Sequence, residues 1–177
     1  MQHSKRLFLV FFVCILFLLS ANVYAQLSTF GKSFHFGLME NNMKENNIDG
    51  AVISITAREE AIGTIQYLGQ TINFSLNANQ EFSHEILSSD FDVLHRRSGE
   101  VENKSIQISS SGNISVHAFN IRTTSSDASV ILPDQTLGLE YLVTTHFNDV
   151  NLSPDNFEST LLIVAVEDQT RVEIQPS

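Results

Sequence analysis

The sequence predicts an all-β fold: an antiparallel, sandwich-like β domain behind a cleaved signal peptide. Three observations predict it. Past residue 30 no stretch keeps an apolar i, i+3, i+4, i+7 pattern for three turns. Short runs rich in Ile, Val, Phe and Thr recur instead, separated by Gly, Asn, Asp and Ser at the spacing of a sandwich or barrel. The first 25 residues are a different material, with a basic start at Lys5 and Arg6 and an apolar run from Leu7 to Leu19.

That run is too short to span a bilayer, which takes roughly 20 residues. Val23-Tyr24-Ala25 places small residues where a signal peptidase reads them, so cleavage is expected between Ala25 and Gln26. Cys14 lies inside the apolar run with Val13 before it, which does not fit a lipid-anchor site. The expected division is therefore a signal peptide, 1–25, and one β domain, 26–177. The processed chain has no cysteine and no stable membrane span, and its place is secreted or at the cell surface. A secreted domain without disulfides leans toward a bacterial source. The whole chain has 177 residues and a net charge of −10. Removing Lys5 and Arg6 leaves 8 basic against 20 acidic residues, a net of −12. Such a balance excludes a nucleic-acid partner, whose binding rests on phosphate neutralisation.

Strands are predicted at 33–38, 51–57, 62–68, 71–77, 82–87, 105–110, 114–121, 128–132, 140–147, 160–167 and 170–175. Two hairpins carry a register. Gly69-Gln70 as the turn pairs Tyr67 with Ile72 and Ile65 with Phe74, with Gln66 and Asn73 on the other face. Asp168-Gln169 as the turn pairs Ala165 with Val172 and Ile163 with Ile174, with Arg171 and Glu173 outward. Leu161 to Val166 is apolar without alternation, as in a strand covered on both faces. Residues 39–50, 88–104 and 148–158 read as loops.

The chemistry-bearing residues give little. The histidines after the signal peptide are His35, His84, His95, His117 and His146; none has a Cys partner or helical i, i+4 spacing, so no zinc site is expected. Ser125-Ser126-Asp127 lacks the G-x-S-x-G elbow and reads as a polar turn. Glu59-Glu60 and Glu167-Asp168 have the chemistry of calcium ligands or paired catalytic carboxylates, but neither lies in a D-x-D-x-D-G loop. There is no Gly-rich phosphate cradle. No cofactor, metal or catalytic residue is expected. Arg96-Arg97 is the one adjacent basic pair after the signal peptide, and on an acidic surface it is the candidate binding anchor for an acidic partner such as a mucin glycan. Arg97 pairing with Glu100 or Glu102 is the competing reading. The absence of Trp counts against a sugar-stacking platform.

Phe119-Asn120, Ser125-Ser126-Asp127-Ala128, Leu132-Pro133, Leu137-Gly138-Leu139-Glu140-Tyr141 and Ala165-Val166-Glu167-Asp168-Gln169-Thr170 stand in the order of a known pattern, with Gly31-Lys32-Ser33-Phe34 at its start. The chain so resembles the N-terminal domain of the IgG Fc-binding protein family over nearly all of residues 30–176. It departs at Phe36 to Asn41, where the family has a Pro. The resemblance implies a β-rich secreted or surface domain without known catalysis, acting in binding or adhesion on a protein or glycoprotein, mucin-like or immunoglobulin-like. It carries over no contact residue. The family domain runs on beyond the point equivalent to Ser177, so a partial copy is expected, with self-association through an uncovered edge strand. A structural part of a larger surface assembly and an extracellular glycan-active enzyme are the alternatives.

Overall fold

A computed structural model describes residues 28–40, 50–87, 92–122, 126–144 and 160–175. The strands are β1 (Phe30–Phe36), β2 (Leu38–Met39), β3 (Gly50–Ala57), β4 (Ala61–Tyr67), β5 (Gln70–Leu76), β6 (Glu81–Leu87), β7 (Leu94–His95), β8 (Ile106–Ile121) and β9 (Ser126–Ile131), followed by a single 3-10 turn at Asp134–Thr136. Seven strands form one antiparallel sheet, and β2 and β7 pair in parallel as a second, two-stranded one. The all-β, antiparallel expectation holds.

β8 is the spine. Its first part, around Gln107 to Ser109, pairs with β4 on one edge and β1 on the other. Its second part, Val116 to Ile121, lies between β3 and β9. β5 lies outside β4, and β6 outside β3. The sequence predicts two strands here, 105–110 and 114–121, because Ser109 to Asn113 is a polar break. The structure runs straight through as one strand and bends there. Gly31 pairs with Ile114 but Ser33 with Ser109, so extra residues bulge from β8. Gly112 sits at this bend, where a Cβ would fall 2.4 Å from the Glu60 carbonyl oxygen.

The bend folds the sheet over its own inner face. Tyr67 on β4 donates its hydroxyl to or accepts from His84 Nε2 on β6 at 2.9 Å, and the Phe74 and Phe82 rings of β5 and β6 stand 5.7 Å apart. Period-2 alternation supplies that face: Ala51, Ile53, Ile55 and Ala57 point in, whereas Val52, Ser54 and Thr56 are less buried. Phe34, Ile65, Ile106, Ile108, Ile114 and Val116 are among the side chains that join them in the core. Each such side chain contributes about 1.5–3 kcal/mol over its exposed state.

The first hairpin forms with a correction. Its turn is Leu68-Gly69, both at positive φ (44° and 78°), as in a type I′ turn. Tyr67 pairs with Gln70 and Ile65 with Ile72, two positions from the predicted register. A shift of two leaves every side chain on its predicted face, whereas a shift of one would invert them.

Four further expectations are corrected. Residues 88–104 are not all loop: β7 forms there, because Val93 and Leu94 are apolar enough to bury. Residues 39–50 likewise begin with the end of β2 and end with the start of β3. Ser126 and Asp127 are no turn; they pair with Ile121 and Asn120 as the start of β9. The described parts of the strands predicted at 140–147, 160–167 and 170–175 carry no ladder. The Asp168-Gln169 turn is made, with Gln169 at φ 62° and the Thr170 hydroxyl donating to the Glu167 carbonyl at 2.7 Å. Its flanks stay unpaired among the described residues. Alternation makes a segment competent for a sheet, but a partner edge makes the strand. The signal peptide, His146 and the loop at 148–158 lie outside the described residues.

Candidate functional site

The predicted anchor, Arg96-Arg97, directly follows β7, which Leu38 and Met39 of β2 hold in register. The Met39 carbonyl is fixed in turn by the Asn120 side-chain amide of β8 at 2.6 Å. The two arginines differ. Arg96 is 27% exposed; its Nη1 reaches Glu40 and its Nε meets both Asp92 oxygens at 3.2 Å. Arg97 is 67% exposed and pairs with Glu100 at 3.0 Å, the partner that the competing reading gave it. An exposed pair of this kind is worth about 0–1 kcal/mol. Lys104 links the group by reaching Asp92 at 3.2 Å, Glu102 at 3.0 Å and the Leu94 carbonyl at 2.9 Å. The Lys104 ammonium, ahead of the Arg96 and Arg97 backbone N–H donors, holds the Glu102 carboxyl below its usual range, against a desolvation that raises it. The structure thus brings Arg96 into a charge-matched network and leaves Arg97 at its rim.

Ser33, His35 and Asp134 form a second cluster, which the sequence did not announce because 99 positions separate the last two. The Ser33 hydroxyl donates to Asp134 Oδ2, and His35 Nδ1 lies 2.9 Å from the same oxygen. The carboxylate is in the middle. A serine nucleophile needs the imidazole in that place, so this order clamps the 3-10 turn to β1 and activates no hydroxyl. Pro133 seats against Gly31, where a Cβ would overlap it at 2.3 Å.

Glu59, one of the acidic pairs, holds the bend of β8. It accepts from the Asn113 backbone N–H at 2.8 Å and the Asn113 side-chain amide at 2.9 Å. The backbone donor first, then the amide and the Lys32 charge, hold its carboxyl below its ordinary value against desolvation. Among the described residues no group of three His, Cys, Asp or Glu could hold a metal.

At the same bend an open cleft of about 380 Å³ lies between the start of β1, the end of β3 and the β5–β6 loop. Phe30, Thr56, Arg58, Asn79, Gln80 and Glu81 line it. The Arg58 guanidinium sits 3.9 Å over the Phe30 ring. Sequence reasoning missed this place: its residues come from three distant segments, and only the isolated Arg58 carries a visible signal.

The outer surface of the last segment is apolar. Leu139, Tyr141, Leu142, Leu161, Ile163 and Ile174 are all exposed. Among the described residues no helix is long and apolar enough to cross a membrane.

Residues 127–177 match the family described as IgGFc binding protein. The match supports the resemblance read from the sequence, over a shorter stretch than 30–176. No curated protein matches the chain. A solved structure described as the crystal structure of Thermotoga maritima 1070 is similar over 59% of this chain and 95% of its own, at 13% identity and a TM-score of 0.32. A likeness that slight carries no argument.

Proposed function

We propose, from the match of residues 127–177 to the IgGFc binding protein family, that this chain is a non-enzymatic binding module. It is secreted or displayed at the cell surface after cleavage at Ala25, and it recognises a protein or glycoprotein partner, immunoglobulin-like or mucin-like. The observation that carries the reading is that the matched stretch is also where large apolar side chains face outward, Leu139 and Leu142 foremost, with Tyr141 between them. Exposed apolar patches of this kind mark protein contacts. Arg97, exposed at the rim of the Arg96 network, is a secondary anchor for an acidic partner that displaces Glu100 from it. The order of Ser33, Asp134 and His35 supports a reading without nucleophilic catalysis.

The test is interferometry of the processed chain against immobilised immunoglobulin Fc, mucin and an albumin control. Binding to one of the first two, lowered at least tenfold by Tyr141→Ala/Leu142→Ala and less by Arg96→Ala/Arg97→Ala, is expected. No binding to either, or turnover of a glycoside, ester or peptide abolished by a single carboxylate or serine substitution, overturns the reading.

A further inference from the structure

We propose that the cleft at the sheet bend is a binding site for a carboxylate-bearing sugar, a sialic or uronic acid residue. The inference deepens the reading above, since it names a ligand on the glycoprotein partner.

Arg58 is the centre of the argument. Among the described residues no carboxylate pairs with it, and its guanidinium sits over the Phe30 ring. That sets it apart from Arg96 and Arg97, whose charges are matched. A guanidinium seated on an aromatic ring is held in place yet keeps its N–H donors at its edge, in the fork that suits a carboxylate.

The remaining groups suit hydroxyls. The β5–β6 loop is pinned to the end of β3: the Asn79 N–H donates to the Ala57 carbonyl at 2.7 Å, and the Ala57 N–H to the Gln80 carbonyl at 3.2 Å. Asn79 holds a left-handed φ of 63° to make that turn. The Gln80 side-chain oxygen is taken by the Asn77 N–H at 2.8 Å, which leaves its amide donors for a ligand. Glu81 accepts from Ser54 at 2.8 Å through Oε1 and keeps Oε2 for a hydroxyl. One fork for an anion, one carboxylate acceptor, two amides and the Thr56 hydroxyl describe an acidic sugar. An acidic peptide offers a carboxylate but no ring of hydroxyls to meet Glu81. The volume, about 380 Å³, lies at the lower end of the range for small-molecule sites, about 300–1,000 Å³, as one monosaccharide requires.

The test is an amide NMR titration of the processed chain with four probes: the methyl glycosides of N-acetylneuraminic acid, glucuronic acid and galactose, and a Glu-containing tetrapeptide. Saturable shifts at Thr56, Asn79, Gln80 and Glu81 with one of the two acidic sugars are expected, and the responding sugar identifies the source. Arg58→Ala lowers that affinity at least tenfold while keeping a dispersed spectrum. Arg58→Lys retains part of it, and Arg97→Ala changes nothing. Absence of saturation with both acidic sugars, equal shifts with the galactoside, tighter binding of the peptide, or an unchanged Arg58→Ala variant overturns the assignment. Partner capture that persists in Arg58→Ala while the titration fails overturns the cleft alone; loss of capture by every form overturns the wider reading.

Discussion

The hairpin of β4 and β5 and the segment 160–175 are written in the same style and end differently. Both join two apolar-rich runs through a two-residue turn with positive φ, Leu68-Gly69 in one and Gln169 in the other. The first closes a full ladder and buries Ile65, Tyr67, Phe74 and Leu76. The second makes its turn, forms no ladder and leaves Ile163, Val172 and Ile174 about half exposed or more. Turn chemistry and apolar content are therefore not enough. β4 lies along β8, and its inner face meets β6 across the fold through Tyr67 and His84. Nothing described offers residues 160–175 an equivalent edge.

The largest effect that sharpens this contrast is in the core. Ile65→Ala should cost about 2–5 kcal/mol, read by urea unfolding, whereas Ile163→Ala should stay within about 0.5 kcal/mol. Equal costs would break the contrast. Next comes Gly63→Ala on β4. Its Cβ would fall 2.2 Å from the Ser109 carbonyl and 2.4 Å from the Phe74 ring, an overpacking of about 1–3 kcal/mol. An exposed glycine without such neighbours, Gly138, should accept alanine with far less change.

A smaller effect is pH-dependent. Burial lowers the His84 pKa and raises that of Tyr67. The unfolded chain then binds a proton more readily than the folded one below about pH 6.5, the ordinary histidine value. Stability should fall as pH drops through 6.5, and the loss should level off below the lowered folded value. Glu59, whose folded value is also lowered, adds a loss in the same direction below the ordinary carboxylate range. His84→Gln should flatten the first step and leave the second. A slope of opposite sign near pH 6 would refute the lowered His84 pKa. The smallest expected change is Arg97→Ala, within about 0.5 kcal/mol of the parent in the same unfolding measurement. Arg96→Ala should cost more, since it strands Glu40 and leaves Asp92 with Lys104 alone.

How much was legible follows the same physics. The faces of β3, β4 and β5 were legible because period 2 survives a register error of two. The continuity of β8 was not, since Ser109 to Asn113 reads as a turn until Glu59, far away in sequence, takes the Asn113 donors. β7 was too short to carry a periodicity. The Arg96-Arg97 pair was visible by adjacency, but the Glu40 and Asp92 partners of Arg96 were not. Arg58 stands alone in the sequence, because Phe30, whose ring it covers, and the cleft residues Asn79 and Glu81 come to its side only through the fold.

The position of β8 in the chain has a consequence for synthesis. β1 begins at Phe30, yet its partner Ser115 and the rest of that ladder lie in β8. β3 and β4 can meet β6 and β5 early, but their second edges also wait for β8. Long closures of this kind are slow and reward the chain only when complete. A chain emerging from its N-terminus at about 5–20 residues per second therefore stays without its central ladder until Ile121 has been made. During that interval β1 has no partner, and the β3–β6 and β4–β5 pairs each keep an open edge.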